Sequence, residues 1–248
     1  LSIIAVLSGL DPSGGAGITA DIETINQFGL TSLPIITNLT TQNTKSVKSL
    51  KEVDSDLITS QFRYLEEDIE FKVVKIGLLS SIKQIKAIAK LVNNKTVVMD
   101  PVISPSKGNI FYDKATIKAL KTILIPMCKI ITPNIQELYY LSEQKNEQKA
   151  IDNINCKWIL LTTTDVSSDM INHRLYCDSK LTKTFSYKKL AGNYHGSGCT
   201  LSSAISALIA LKFNIELACE KALEYTYKTL LNAKKIGKSQ LHPNRIKI

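Results

Sequence analysis

Apolar residues along this 248-residue chain follow two periods that take turns. SIIAVLSG, LPIITNLT, VVKIGLL, TVVMD, KIIT and KWILLT are apolar nearly throughout, the pattern of strands covered on both faces. Between the first two, Ile18, Ile22, Ile25 and Phe28 recur at helical spacing and Gly29 closes the run. Leu57, Ile58, Phe62, Leu65 and Ile69 mark another helix, opening in acidic residues that suit its positive end. Further helical patterns begin near Ser81, Asp113 and Asn134. HRLYCDSKLTKTFSY differs, with two short alternating runs around Asp178-Ser179 that predict a hairpin. Two helices finish the chain, from about Gly198 and about Ile215.

This alternation predicts an α/β fold: a largely parallel central sheet, helices on both faces, and a small hairpin. With no linker and no internal repeat, residues 1–248 read as a single domain. Ligands of such sheets gather beyond the carboxyl ends of the strands. The residues found there are Gly9-Leu10-Asp11, Thr41-Gln42-Asn43, Gly77, Asp100-Pro101, Thr132-Pro133-Asn134 and the stretch NYHGSGCTLSSAISALIALK.

In SGLDPSGGAGITAD, Gly15, Gly17 and Ala20 match a relaxed dinucleotide fingerprint, but the next strand ends in Asn38-Leu39-Thr40 without the acidic residue a ribose needs. No P-loop pattern occurs. A loop whose backbone approaches a ligand closely is left, with Asp21 on the helix beyond; the plainer alternative is a glycine turn and a solvated Asp. Gly196, Ser197 and Gly198 precede a helix and offer bare N–H groups to an anion. Cys199 sits in the first turn, where the helix dipole favours a thiolate. It could be a nucleophile, a proton acceptor or only a small residue that fits. A Cys–His hydrolase with His195 as base is disfavoured, because His195 lies in the same loop and no third partner is evident. Asp100, Asn134 and Glu137 follow two successive strands and suit a Mg²⁺ that keeps waters and bridges to phosphate. Helix or turn capping would equally explain Asp100 and Asn134.

Composition changes this picture little. The net charge of +9 invites a nucleic-acid reading. Lysines are spread along most segments without interleaved aromatics, so no nucleic-acid partner is expected. Five scattered cysteines and no CxxC pair argue against a zinc site or a disulfide framework. No apolar run is long enough to span a membrane, and no basic leader precedes LSIIAVLSG. A cytoplasmic protein without a membrane partner is the expectation.

Together SGLDPSGGAGITADIETINQFG, TQNT, VVKIGLL, VVMDPVI, ITPNIQE and YHGSGCTLSSAISA resemble the hydroxymethylpyrimidine/phosphomethylpyrimidine kinases of thiamine biosynthesis, in the ribokinase superfamily. The combination covers most of the chain in order. The resemblance implies a ribokinase-like domain, a homodimer, and ATP·Mg²⁺-dependent phosphorylation of 4-amino-5-hydroxymethyl-2-methylpyrimidine and then of its monophosphate. It implies that Gly9, Asp21, Gln42 and Leu78 line the pyrimidine pocket. Cys199 would accept the hydroxyl proton, beside the amides of Gly196, Ser197 and Gly198. Asn134 and Thr162 would lie towards ATP, and Asp100 and Glu137 towards Mg²⁺. Three departures lie on the nucleotide side. Thr162, Thr163 and Thr164 replace a Lys-Gly-Gly; Ser106-Lys107-Gly108-Asn109 replaces Lys-Ser-Gly-Asp; and the stretch after Glu137 is short. A pyridoxal kinase, or a catalytically weak pyrimidine-binding protein, are the alternatives.

Overall fold

The computed structural model describes residues 2–103, 112–162 and 168–246. Among these, nine strands form one sheet in the order β3-β2-β1-β4-β5-β6-β7-β8-β9. The strands are β1 (Ile3–Leu10), β2 (Thr31–Gln42), β3 (Val47–Glu52), β4 (Val73–Ile76), β5 (Thr96–Met99), β6 (Cys128–Ile131), β7 (Trp158–Leu161), β8 (Met170–Cys177) and β9 (Lys180–Lys188). The block from β2 to β7 is parallel; β3 and β8 run antiparallel to it, and β9 pairs antiparallel with β8 at the edge.

Among the described residues, eight α-helices connect and cover the strands: α1 (Gly17–Gln27), α2 (Ser55–Asp68), α3 (Ile82–Leu91), α4 (Lys114–Ala119), α5 (Ile135–Ser142), α6 (Glu147–Asp152), α7 (Ser197–Ala210) and α8 (Ile215–Leu231). The expected strand positions hold, most clearly where a run is buried on both faces, as in β4, which is buried at all of Val73, Val74, Lys75 and Ile76. Alternate residues then feed two cores. Val74 and Ile76 join the core that includes Ile58 of α2 and Ile88 of α3. Val73 turns the other way, into the layer with Ile18 and Ile25 of α1 and Ala207 of α7. Lys75 shares that second face by the period of two, a charge where the pattern calls for an apolar side chain.

The hairpin is built as expected. Asp178 and Ser179, at φ 47° and 62°, form a two-residue turn between Cys177 and Lys180. On β8, burial and the adjacent Arg174 push the His173 imidazole down to about 4. Its Nδ1 is buried without a hydrogen-bond partner among the described residues. An unfolded chain therefore binds a proton that the folded one refuses, so stability falls as pH drops from about 6.5 towards 4. The expected loss across that window is roughly 3 kcal/mol. Urea unfolding at a series of pH values should show this slope flattened in His173→Phe; an unchanged slope would assign the loss to other groups.

Candidate active site

The strand order reverses between β1 and β4: β2 lies on one side of this pair and β5 to β9 on the other. In an open α/β sheet that switch point leaves a crevice beyond the strand ends. The loops after β1 and β4 meet there, and α7 directs its N-terminus towards them. A methyl group placed on Gly9 would touch Leu78 at 3.2 Å, so these two expected pocket residues are neighbours. Gly17, at φ +60°, leaves no room for a side chain, since a Cβ would lie 2.1 Å from the Gly9 carbonyl oxygen. Gly196 caps α7 at φ +89°, and its Cβ would fall 1.9 Å from the Gly15 carbonyl oxygen. The β1–α1 loop and the loop before α7 thus pack backbone against backbone. No side chain of Gly196 can cap the helix, so the N–H groups that open α7 keep their capacity for an anion.

Asp11 organises the first loop. Its Oδ1 accepts from Ser13 N and Ser13 Oγ, both at 2.8 Å, and its Oδ2 accepts from Ala16 N at 3.0 Å. His195 Nε2 lies 2.8 Å from the same Oδ2. Burial opposes its charge, but the hydrogen bonds from His195 and Ser13 together hold the carboxyl below its ordinary range. The Gln42 amide, at the end of β2, approaches His195 Nε2 to 2.7 Å. This joins three segments far apart in the chain.

Behind these groups lies a buried ion pair. Lys75 Nζ contacts Asp21 Oδ1 at 2.8 Å, with both side chains 0% exposed. Ser203 Oγ of α7 donates to the same oxygen at 2.7 Å. Asp21, expected to line the substrate pocket, is thus paired through one carboxylate oxygen and leaves the other unpartnered among the described residues. Its carboxylate is committed to Lys75 and closed off from solvent, because its position on α1 faces the sheet.

Cys199, 9% exposed, lies beside Asp100, Gly17 and Lys75. Burial pushes the thiol up to about 12, against the pull of the Lys75 ammonium. The thiolate expected from the helix terminus is corrected accordingly: at rest Cys199 is a thiol, because desolvation outweighs the dipole. A Cβ on Gly198 would lie 3.2 Å from Asp100 Oδ2, which places the glycine turn directly over this carboxylate.

Asp100 and Glu137 are both buried, and burial raises both carboxyls; Asp100's charge raises Glu137 further. Glu137 Oε2 also accepts from Asn134 N at 2.9 Å, and Asn134 Oδ1 accepts from Gln136 N and Glu137 N, each at 2.9 Å. Asn134 is thus first a helix cap, in a full capping box. Thr162 N donates to the Pro133 carbonyl at 2.9 Å, which brings Thr162 beside Asn134. Thr163, Thr164 and Ser106 to Asn109 lie outside the described residues. No group of three or more His, Cys, Asp or Glu side chains among the described residues could cage a metal. Two mutually repelling carboxylates do fit a Mg²⁺ that takes most of its ligands from water and phosphate.

Sequence reading missed the C-terminal strap. Arg245, 2% exposed, donates to Thr200 Oγ1 at 2.8 Å, Glu23 Oε2 at 3.1 Å and the Gly15 carbonyl at 2.5 Å. It ties α7 and α1 to the glycine loop. No periodicity marks a lone arginine near a chain end, so the sequence carried no signal for it. Arg245→Met should lower the unfolding free energy by about 2–4 kcal/mol, since three acceptors lose a buried charged donor. Urea melts will read this; a change below about 1 kcal/mol would mean that the strap does not hold the loop.

An open parallel sheet with a glycine-lined crevice at its switch point and an uncapped helix terminus facing it is the architecture of the ribokinase-like kinases. The chain is similar over its whole length to the Bacillus subtilis pyridoxal kinase solved with ADP, with a TM-score of 0.87, full coverage of both chains and 23% identity; this likeness concerns the fold. Within that class, residues 11–244 match the phosphomethylpyrimidine kinase family model, and the chain belongs to that family. A hydroxymethylpyrimidine/phosphomethylpyrimidine kinase of Aquifex aeolicus is 30% identical over 94% of this chain and 95% of its own length. The solved phosphomethylpyrimidine kinase of Clostridium difficile 630 is 29% identical, covering 93% of this chain and all of its own, with a TM-score of 0.78.

Proposed function

We propose that this chain transfers the γ-phosphoryl group of ATP to the hydroxymethyl group of 4-amino-5-hydroxymethyl-2-methylpyrimidine, and then phosphorylates the monophosphate to the diphosphate, in thiamine biosynthesis. The observations that support this reading are the approach of Gly9 to Leu78, the contact of Gln42 with His195 just before the Cys199 turn, and Asp100 under that turn at Gly198. Gln42 reads the ring, and Gly9 and Leu78 supply an apolar wall. The amides of Gly196, Ser197, Gly198 and Cys199 stabilise the phosphoryl group in transfer. Proton removal from the hydroxyl falls to Cys199, which lies beside the Lys75 ammonium, a support for negative charge. Asp100 and Glu137 would hold a Mg²⁺, with Asn134 and Thr162 on the nucleotide side. When bound, Mg²⁺ supplies positive charge that offsets both the carboxylates and the phosphates. A homodimeric, cytoplasmic enzyme is part of the same reading.

Pyridoxal also carries a hydroxymethyl group on a nitrogen ring. The likeness to pyridoxal kinases at 23% and 20% identity bears on the fold alone. The test is kcat/KM for the two substrates measured side by side with ATP and Mg²⁺. The pyrimidine should be preferred by about tenfold or more; preference for pyridoxal would reverse the assignment.

A further inference from the structure

The hydrogen bonds around Gln42 have a direction, and it can be worked out from their far ends. Asp11 accepts from Ser13 N, Ser13 Oγ and Ala16 N, and its hydrogen bonds favour the ionised form. An ionised carboxylate can only accept. His195 Nε2, 2.8 Å from Asp11 Oδ2, must therefore carry a proton. The same Nε2 stands 2.7 Å from the terminal atom of Gln42 placed as nitrogen. Two N–H donors do not face each other, and amide oxygen and nitrogen are interchangeable in shape. The oxygen of Gln42 belongs on the His195 side.

The other end of the amide agrees. Thr40 Oγ1 donates to the Leu10 carbonyl at 2.9 Å, which uses its only proton. Its contact of 3.3 Å with Gln42 can then only be one in which Thr40 accepts. An NH₂ group on that side satisfies it with one of its two N–H bonds.

We propose that Asp11 and His195 are positioning residues that lock the Gln42 amide with its oxygen towards His195, leaving one N–H of the NH₂ group to donate to the ligand. Gln42 thus reads an unprotonated ring nitrogen, an acceptor, in the heteroaromatic substrate. This rests on the pyrimidine reading above for the identity of the ligand, and on the hydrogen-bond network alone for the orientation.

The orientation is tested without any substrate. Long-range ¹H–¹⁵N correlation spectra of the wild-type enzyme, with His195 assigned by its loss in His195→Gln, should show a proton on Nε2 at pH 8. A bare Nε2 would overturn the proposal. Kinetics test the consequence. His195→Leu should raise KM for the pyrimidine by about tenfold or more while kcat stays within about threefold. His195→Gln keeps an N–H at similar reach and should recover most of the KM. Equal behaviour of the two variants, or an unchanged KM in His195→Leu, would overturn it. Replacing the ring nitrogens by C–H one at a time should raise the wild-type KM by about tenfold for at least one analogue; no effect from either would also contradict it. If wild type shows a protonated Nε2 but phosphorylates no pyrimidine, the functional reading fails and the orientation stands.

Discussion

Lys75→Met should destabilise the fold by about 3–5 kcal/mol, because it leaves the Asp21 carboxylate buried without its cation. Lys75 and Asp21 are both 0% exposed, and they meet between α1 and the sheet at 2.8 Å. Val6 and Val98 are the cross-strand neighbours of Lys75, and both are fully buried, so no water replaces the lost ammonium. Ser203 offers Asp21 a single hydroxyl, too little to hold an isolated charge. The double variant Lys75→Met with Asp21→Leu should regain most of the stability, since apolar replacement of a whole buried pair is often neutral. Urea unfolding of the three proteins decides. A single variant within about 1 kcal/mol of wild type would mean that Asp21 is not charged there. The double variant also separates structure from chemistry. It folds but lacks the ammonium beside Cys199, and its kcat should stay low.

Cys199→Ala is expected to lower kcat by about 10²–10⁴, the usual range for removing a positioned proton acceptor. KM for the pyrimidine should move much less, because Gln42 and the Gly9–Leu78 wall are untouched. Stability should change little, since a thiol gives way to a methyl group next to Gly17 and Asp100. Circular-dichroism melts beside the kinetics would check that. Near-normal turnover in the alanine variant would remove Cys199 from the proton path and leave the amides of the turn as the main source of rate.

How much of this was written in the chain depends on the kind of interaction. The parallel strands were legible because their runs are apolar and, at the centre of the sheet, buried on both faces. The turn at Asp178-Ser179 was legible because alternation stops there. β3 was missed: its residues VKSLKE are mostly exposed on a sheet edge, so no apolar period marks them. The short α6 fell in the stretch expected only to be abridged. At the site, glycines announced themselves because backbone packing between Gly17 and Gly9 and between Gly196 and Gly15 permits nothing else. Cys199 was found through its place at a helix start, but its protonation was misjudged. Burial is a property of the assembled layers, which a local motif does not display. Lys75 was hidden for the same reason, inside a strand that reads as apolar. Asp21 stood out as a polar residue after a glycine loop, yet only the sheet reveals that it faces Lys75. His195 drew attention as a possible base, while its partners Asp11 and Gln42 lie 184 and 153 residues away.

ADP release measured in a coupled assay with the hydroxymethylpyrimidine, and then with its monophosphate, tests the central claim most directly. Pyrimidine-dependent ADP formation with the first substrate, and again with the second, is the predicted result. Binding of the pyrimidine without any ADP above the ATP-only background would contradict it.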